Sequence, residues 1–411
     1  MRLTFNMQFG QSLNGILNTQ KKMSIAENQL TKQTRILTPA DDPAASAKVL
    51  GLDQNLSQVE QFQKNSVLLR NGLALEETIL SNMRTNFDRI SQLAIASGNG
   101  TYTEAERQAV ALELKNIQIE FFDLMNTRDS DGGYIFAGFQ DQSPAYEFDQ
   151  TSGRFLFKGD DGSRALQISP SISLSGRDSG KRIFDDTFTR FKTTPPTVAA
   201  GSPTSVSLRV ADQARFDQFF RANYDSQVPA NNAYSVAIDA TNTFQVLNNG
   251  APTVPPITGI YTPGAAINFN GLSLSLAGPA AVPGQIDFEL QTPDKKNILD
   301  TLQDFISALQ NPALTGDDFL ESISDVLVQT DNSARNVDNT MANIGGRINV
   351  LDSVFDSNAD LVINNKGYKA DIAEVDFAAA LTEIKKQEVA LQAASTVFSK
   401  IAATTLFDFI R

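Results

Sequence analysis

The sequence contains no histidine, no cysteine and no tryptophan. Without histidine and cysteine the chain cannot form a Ser–His–Asp or Cys–His catalytic group, a His/Cys zinc site, an iron–sulfur centre or a disulfide. Carboxylates, hydroxyls, amines and guanidinium groups remain, but no nucleotide-binding loop or nucleophile motif accompanies them. The sequence therefore predicts a protein that is not an enzyme and that holds no cofactor or metal.

Long apolar runs are missing as well. No stretch approaches the roughly 18 consecutive apolar residues that a membrane span requires. The first 20 residues lack the apolar core of a secretory signal. We therefore expect no membrane insertion and no cleaved signal peptide.

Positive charge is scarce in most of the chain, whose net charge is −13 over 411 residues. Residues 1–50 are an exception, with six basic and three acidic side chains. Residues 298–376, in contrast, carry four basic and fourteen acidic side chains. An acidic body disfavours binding to nucleic acid and to anionic membranes.

Proline is nearly confined to the middle of the sequence, because 13 of the 16 prolines lie between Pro144 and Pro293. Helix interiors reject proline, so long helices are possible only in the two flanks. The middle instead alternates apolar and polar residues, which is typical of half-buried strands. The alternating apolar positions are Val206, Leu208, Val210, Tyr234, Val236, Ile238, Leu272, Leu274, Leu276, Ile286, Phe288 and Leu290. Residues 133–297 are therefore predicted to form an inserted β domain, of one module or two, with a short helix near 215–224.

The flanks carry apolar residues at the alternating spacing of three and four that is typical of coiled coils. The longest seam runs from Leu320 to Val362 and includes the polar residues Thr330 and Asn358. Helices with such one-sided seams must pair, so residues 43–132 and 298–374 are predicted to form a helical rod domain. Its predicted core comprises Leu73, Leu80, Phe87, Val337, Met341, Ile344, Ile348, Leu351 and Phe355.

The two chain ends, residues 1–42 and 375–411, repeat the seam with polar residues interleaved. Isolated helices of this kind are marginal in water, so we expect these ends to be disordered in the monomer and to order against a partner. The predicted partner-binding residues are Ile16, Met23, Leu30, Arg35, Leu37, Phe377, Leu381, Ile384, Leu391, Phe398, Ile401, Leu406 and Phe407. The fold class is thus α+β and multidomain, with a long coiled-coil-like rod built from both chain ends and an inserted antiparallel β module.

Three motifs occur in order along the flanks. They are RILTPADDPAAS at residues 35–46, GYIFAGF at 133–139, and a C-terminal set made of VDFAAAL at 375–381, LQA at 391–393 and LFDFI at 406–410. In the first motif, Asp42 is suited to cap a helix that begins at Pro43. Together the motifs resemble the flagellin superfamily, and most closely its hook–filament junction members. The resemblance covers both flanks, whereas the β domain matches no motif.

The resemblance implies a structural protein of the bacterial flagellum that joins the hook to the filament. It implies an extracellular location at the hook–filament junction and export through the flagellar type III apparatus without a cleaved signal. The implied partners are hook-associated protein 1 (FlgK), flagellin, the export chaperone FlgN, which members of the family bind through the C-terminal helix, and other copies of the same chain. The alternatives are a flagellin filament subunit and a stalked surface adhesin or polysaccharide-binding protein.

Three local features have competing interpretations. Residues 129–133 and 159–163 resemble calcium loops but lack the glutamate of an EF-hand, which favours plain turns. Glu76 and Glu77 are expected to be solvated helix positions. The Gly345–Gly346 pair interrupts the long seam and indicates either a close approach between helices or a soft point in the rod.

Overall fold

A computed structural model describes residues 5–100, 102–200, 205–277 and 284–403 of the protein. Its α-helices are α1 (Phe5–Lys32), α2 (Pro43–Ser97), α3 (Glu104–Met125), α4 (Gln213–Asn223), α5 (Ile298–Gln310), α6 (Gly316–Ala373) and α7 (Phe377–Ala403). The predicted long helices in both flanks and the short helix of the middle region are thus present. Among the described residues, no helix has both the length and the apolar character needed to cross a bilayer.

The β-strands lie between α3 and α5. They are β1 (Tyr146–Asp149), β2 (Arg154–Phe157), β3 (Ala165–Gln167), β4 (Ser173–Ser175), β5 (Thr197–Ala200), β6 (Ser205–Val210), β7 (Ala233–Ile238), β8 (Thr243–Asn248), β9 (Ala251–Pro252), β10 (Thr258–Ile260), β11 (Ile267–Phe269), β12 (Leu272–Ala277) and β13 (Gly284–Glu289). All the pairings are antiparallel. The predicted fold class, long terminal helices with an antiparallel β module in the middle, is confirmed.

The chain is divided into two compact units. The first unit contains the residues up to Asn71, the segment Ala165–Ser175 and the residues from Gly346 onward; the second contains Gly72–Arg164 and Gly176–Gly345. Both α2 and α6 therefore contribute residues to each unit. The domain boundaries expected from the sequence remain a prediction.

In the first unit, the β3–β4 hairpin packs on α2 and α6. Leu69, Ile168 and Leu351 are buried together, with Leu166, Ile172, Leu174 and Val354 packed around them. Two asparagine side chains fix the backbone of the hairpin: Asn65 Nδ2 donates to the carbonyl of Gln167 at 2.8 Å, and Asn358 Nδ2 donates to that of Ile168 at 2.9 Å.

In the helical part of the second unit, α3 lies against α2 and α5. A capping box between Thr103 and Glu106 begins α3, and hydrogen bonds from Thr103 lower the pKa of Glu106. The rings of Phe87 and Phe121 lie 5.0 Å apart in the core. The buried Gln118 side chain donates from Nε2 to the carbonyl of Leu299 at 2.8 Å, which ties α3 to α5.

The β module of the second unit has a sheet in the order β10–β8–β7–β13–β5, with β9 paired to β8, and a second sheet in the order β11–β12–β6. The alternating residues predicted from the sequence supply most of its core, together with Phe216 and Phe220 of α4. Gly271, at φ +81°, lies so close to the start of α4 that an added Cβ would come within 2.4 Å of the carbonyl oxygen of Asp212. The turn between β11 and β12 therefore requires glycine.

Candidate assembly site: the paired terminal helices

The two terminal helices pack against each other in antiparallel orientation. The rings of Phe9 and Phe398 lie 4.9 Å apart at one end of the pair. At the other end, an isolated antiparallel bridge joins Thr34 to Glu374. The connections α1–α2 and α6–α7 therefore run side by side, and both belong to the first unit.

Of the eight predicted residues on α1 and α7 whose side chains the structure describes, six face the partner helix. Ala26, Ala380 and Gln387 are buried between the helices. Six predicted residues are half-buried there: Ile16, Met23 and Leu30 of α1, and Ile384, Leu391 and Phe398 of α7. The spacing of three and four residues along each helix places them on one face.

Two predicted residues, Phe377 and Leu381, point outward instead and are 56% and 52% exposed. They join an outer apolar set that the seam did not identify: Leu13, Leu17 and Ile25 of α1, and Val389 and Val397 of α7. Leu13 and Leu17 are four residues apart and so lie close together on α1, but a step of eight residues turns about 80° around a helix, so no single helical period identifies the whole set. Ile401 lies in α7 without a described side chain, and Leu406 and Phe407 lie outside the described residues.

The α1–α2 connection is held by the two aspartates of the TPADDP sequence. Asp41 accepts hydrogen bonds from the backbone N–H groups of Leu37 and Thr38, at 3.1 and 2.7 Å, and the bond from Thr38 lowers its pKa most. Asp42 accepts from the N–H of Ala45 at 3.0 Å, which caps α2 as predicted and lowers the pKa of Asp42. The half-buried Leu37 is thereby fixed in the connection.

Arg35 joins this connection to the C-terminal end of α6. Its guanidinium group donates to the carbonyl of Ile372 at 3.1 Å and lies 3.3 Å from the Asp42 carboxylate. Its backbone N–H donates to the carbonyl of Ala373 at 2.7 Å. A cation is favoured at a helix C-terminus, so Arg35 satisfies carbonyls that the helix itself leaves unpaired.

The predicted rod-core residues divide between the two units. In the second unit, Leu73, Leu80, Phe87, Val337 and Ile344 are buried, and Met341 is half-buried. In the first unit, Leu351 is buried, and Ile348 and Phe355 are half-buried. At the start of α6, Phe319 and Val326 are buried, whereas Leu320, where the predicted seam began, is 47% exposed. The seam residues Ile323 and Thr330 are buried there, whereas at Leu320 and Leu327 the preceding residue is the buried one.

A charged cluster lies where the β module joins α6 in the second unit. The Arg190 side chain, 2% exposed, pairs with Glu321 and lies 2.7 Å from Asp325, which also pairs with Lys192 at 2.5 Å. Beside it is a cavity of about 310 Å³, lined by residues of the two connecting segments and of α5 and α6. Arg190, Lys192 and Asp325 line this cavity, and their ion pairs connect the segment between β4 and β5 to α6.

The expectation for Glu76 was wrong. Its side chain is only 1% exposed, and its carboxylate accepts a hydrogen bond from the backbone N–H of Asp178 at 3.3 Å. The segment that covers it is distant in sequence, so the helix pattern alone could not predict this burial.

The two calcium-like loops form turns. Asp129 accepts from the N–H groups of Asp131 and Gly133 at 2.9 Å each, and Asp160 accepts from those of Phe139 and Gly162 at 3.0 and 2.7 Å. In the part of the chain that the structure describes, no three acidic side chains come together as metal ligands would.

Comparison with known proteins places these features in a family context. The family model of the bacterial flagellin N-terminal helical region matches residues 4–141. Flagellar hook-associated protein 3 of Salmonella typhimurium is 29% identical over 185 residues, which are 45% of this chain and 57% of that protein. The match thus spans little more than half the length of this curated relative.

Solved structures share the fold. The crystal structure of flagellar hook-associated protein 3 from Legionella pneumophila has a TM-score of 0.58 and 22% identity, and covers 78% of this chain and 98% of its own. That of FlgL from Xanthomonas campestris has a TM-score of 0.56 and 22% identity, and covers 78% of this chain and 99% of its own.

The resemblance read from the sequence motifs is confirmed by these relatives.

Proposed function

We propose that this chain joins the hook to the filament, as a counterpart of hook-associated protein 3. It would stand between hook-associated protein 1 (FlgK) and the first flagellin subunits, outside the cell. The observation that carries the proposal is the surface of the terminal-helix pair. Each helix covers one face of the other and leaves the outer apolar set uncovered.

A two-helix layer with exposed apolar side chains on its other faces is an incomplete core. The exposure of Val389, at 67%, and of Leu17, at 53%, is typical of a surface that becomes buried on association. Copies of the same pair, arranged around an axis, would cover these side chains and stabilise helices that are marginal alone. Self-assembly through the terminal helices would complete this layer with copies of the same chain.

The junction of the two connections supports the same role. Arg35, Asp41 and Asp42 fix how the terminal pair leaves α2 and α6 within the first unit. A fixed exit direction is useful when the pair has to enter an ordered assembly with neighbours of defined position.

Export through the flagellar type III apparatus, with FlgN as chaperone, is part of the proposal. A chaperone that binds the face of α7 containing Leu391 and Phe398 has to replace α1, because that face packs on α1. The chaperone-bound form would therefore have the terminal helices apart. Replacing Leu391 and Phe398 by Ala should weaken binding of FlgN, and unchanged affinity would indicate another binding segment.

The proposal can be tested by reconstitution on purified hooks. Hooks capped with hook-associated protein 1 and lacking this chain should not nucleate flagellin. Addition of the purified chain should restore filament growth from the hook end, seen by electron microscopy. Filament growth without the chain, or none after its addition, would contradict the proposal.

Two other functions make different predictions in this assay. A flagellin-type subunit would polymerise into long filaments by itself, whereas a junction protein should add a short segment and then require flagellin. A stalked adhesin would have no effect on flagellin nucleation, and its β module would bind a surface or glycan independently of the terminal helices.

A further inference from the structure

Gly345 and Gly346 lie side by side in the interior of α6, a helix of 58 residues. Each glycine in a helix interior costs about 1 kcal/mol relative to alanine, because the unfolded glycine backbone is more flexible. Two adjacent glycines therefore weaken one turn of the helix more than either glycine alone would.

Packing does not require these glycines. An ideal Cβ built on either residue meets no atom within 4 Å. The situation differs from Gly72 of α2, where a Cβ would lie 3.4 Å from the carbonyl oxygen of Gly176. The close helix–helix approach that the sequence allowed as one interpretation of the pair is therefore excluded.

The position of the pair along α6 is a second observation. The division of the chain into its two compact units crosses α6 between Gly345 and Gly346. The same division crosses α2 between Asn71 and Gly72. The weakest turn of α6 thus coincides with the point where its packing partners change.

We propose that Gly345–Gly346 is a soft point, at which α6 opens its backbone hydrogen bonds more readily than in the turns on either side. Ile344 and Leu351 remain anchored in their cores, so the opening is confined to the turn that contains the two glycines. If the proposed function holds, such a turn would let a junction subunit adapt to its two kinds of neighbour, hook-associated protein 1 and flagellin.

Amide hydrogen exchange of the full-length chain tests the soft point without reference to function. Peptides covering residues 342–349 should exchange at least about tenfold faster than peptides of α6 covering 330–337 and 351–358. In the Gly345→Ala/Gly346→Ala variant, exchange of that turn should slow by roughly 30-fold, which corresponds to about 1 kcal/mol for each glycine. Equal exchange along α6 in the unmodified chain would overturn the proposal.

Gly51 of α2 and Gly367 of α6 provide matched controls, because a Cβ at either also meets nothing within 4 Å. The Gly51→Ala/Gly367→Ala variant should slow exchange only around its own two sites. In cells, the Gly345→Ala/Gly346→Ala variant should keep its filaments but swim less well, whereas the control variant should swim normally.

Equal swimming by both variants would contradict the role of the soft point in adaptation. Filaments that persist when the chain is deleted would instead contradict the proposed function and leave the exchange result standing.

Discussion

Asn358 is a polar residue in the apolar seam of α6, and the structure gives it a specific partner. Its side chain is 3% exposed, and its Nδ2 donates to the carbonyl of Ile168 at 2.9 Å. Replacing Asn358 by Ala leaves this buried carbonyl without a donor, which should cost about 1–3 kcal/mol of unfolding free energy. Urea denaturation of the full-length chain measures the change.

Asn343→Ala is the matched control for this substitution, because Asn343 is an exposed position of the same helix. It should change the unfolding free energy by less than about 0.5 kcal/mol. Similar effects for the two variants would mean that the Asn358 hydrogen bond does not stabilise the hairpin.

Asp185 is the titratable residue with the most distinctive environment in the second unit. Burial raises its pKa to about 6. The hydroxyl of Tyr146 donates to it at 3.1 Å and the side-chain amide of Asn297 at 2.5 Å, and burial also raises the pKa of Tyr146. The Oδ1 atom of Asn297 caps α5 by accepting from Leu299, so Asp185 lies behind the start of that helix.

The raised pKa predicts a pH dependence of stability with a definite sign. Between about pH 4 and pH 6 the folded state keeps a proton on Asp185 that the unfolded state has lost, so the stability contributed by this group falls as the pH rises. Relative to an Asp185→Asn variant, the unmodified chain should lose up to about 3 kcal/mol from pH 4 to pH 7. Chemical denaturation at several pH values measures this difference, and a difference that does not change with pH would contradict the assignment.

Single-residue roles of this kind were only partly predictable from the sequence. Asp42 as the cap of α2 followed from its position before Pro43. The burial of Glu76 and the partner of Asn358 did not follow, because both depend on segments about 100 to 190 residues distant along the chain.

At the scale of elements, the buried seam of α6 should carry much of the stability of both units. Ile344 is fully buried in the second unit, and Leu351, 1% exposed, lies in the first. Ile344→Ala and Leu351→Ala should each cost about 2–5 kcal/mol. Thermal unfolding measures the change, with Val350→Ala, at a position 44% exposed, as the control. No shift for either core variant would mean that the seam is not the core.

The outer and inner faces of α7 should differ in what they control. Leu381→Ser and Val389→Ser together should prevent assembly on capped hooks, because both side chains are exposed in the monomer and would be buried in the assembly. Their melting temperature should match that of the unmodified chain. Ile384→Ala, on the inner face, should lower the melting of the terminal pair. Normal assembly by the outer-face variant would show that other surfaces join the subunits.

Helices and strands were predictable from the sequence only where their pattern of apolar residues repeats over enough residues to be recognised. α2, α6 and the strands β6, β7, β12 and β13 have long or regular patterns, and the structure contains them. The hairpin of β3 and β4 was not predicted, because strands of three residues are too short to show an alternation. The pattern also could not decide which apolar residues of α7 meet α1 and which stay exposed, as Phe377 and Leu381 do.

At the scale of the whole molecule, composition and patterning predicted a helical flank on each side of a β insert. The absence of histidine and cysteine directed the interpretation away from common catalytic chemistry. The β module has no counterpart among the recognised motifs. Its core of alternating strand residues and aromatic side chains of α4 explains its stability but indicates no ligand.

Deletion of the gene for this chain, followed by electron microscopy of the cells, tests whether the chain attaches the filament to the hook. We expect cells with hooks that carry no filaments and with flagellin released into the medium, and normal filaments after the chain is supplied again. Cells that keep attached filaments of normal length without this chain would contradict the proposed role at the junction.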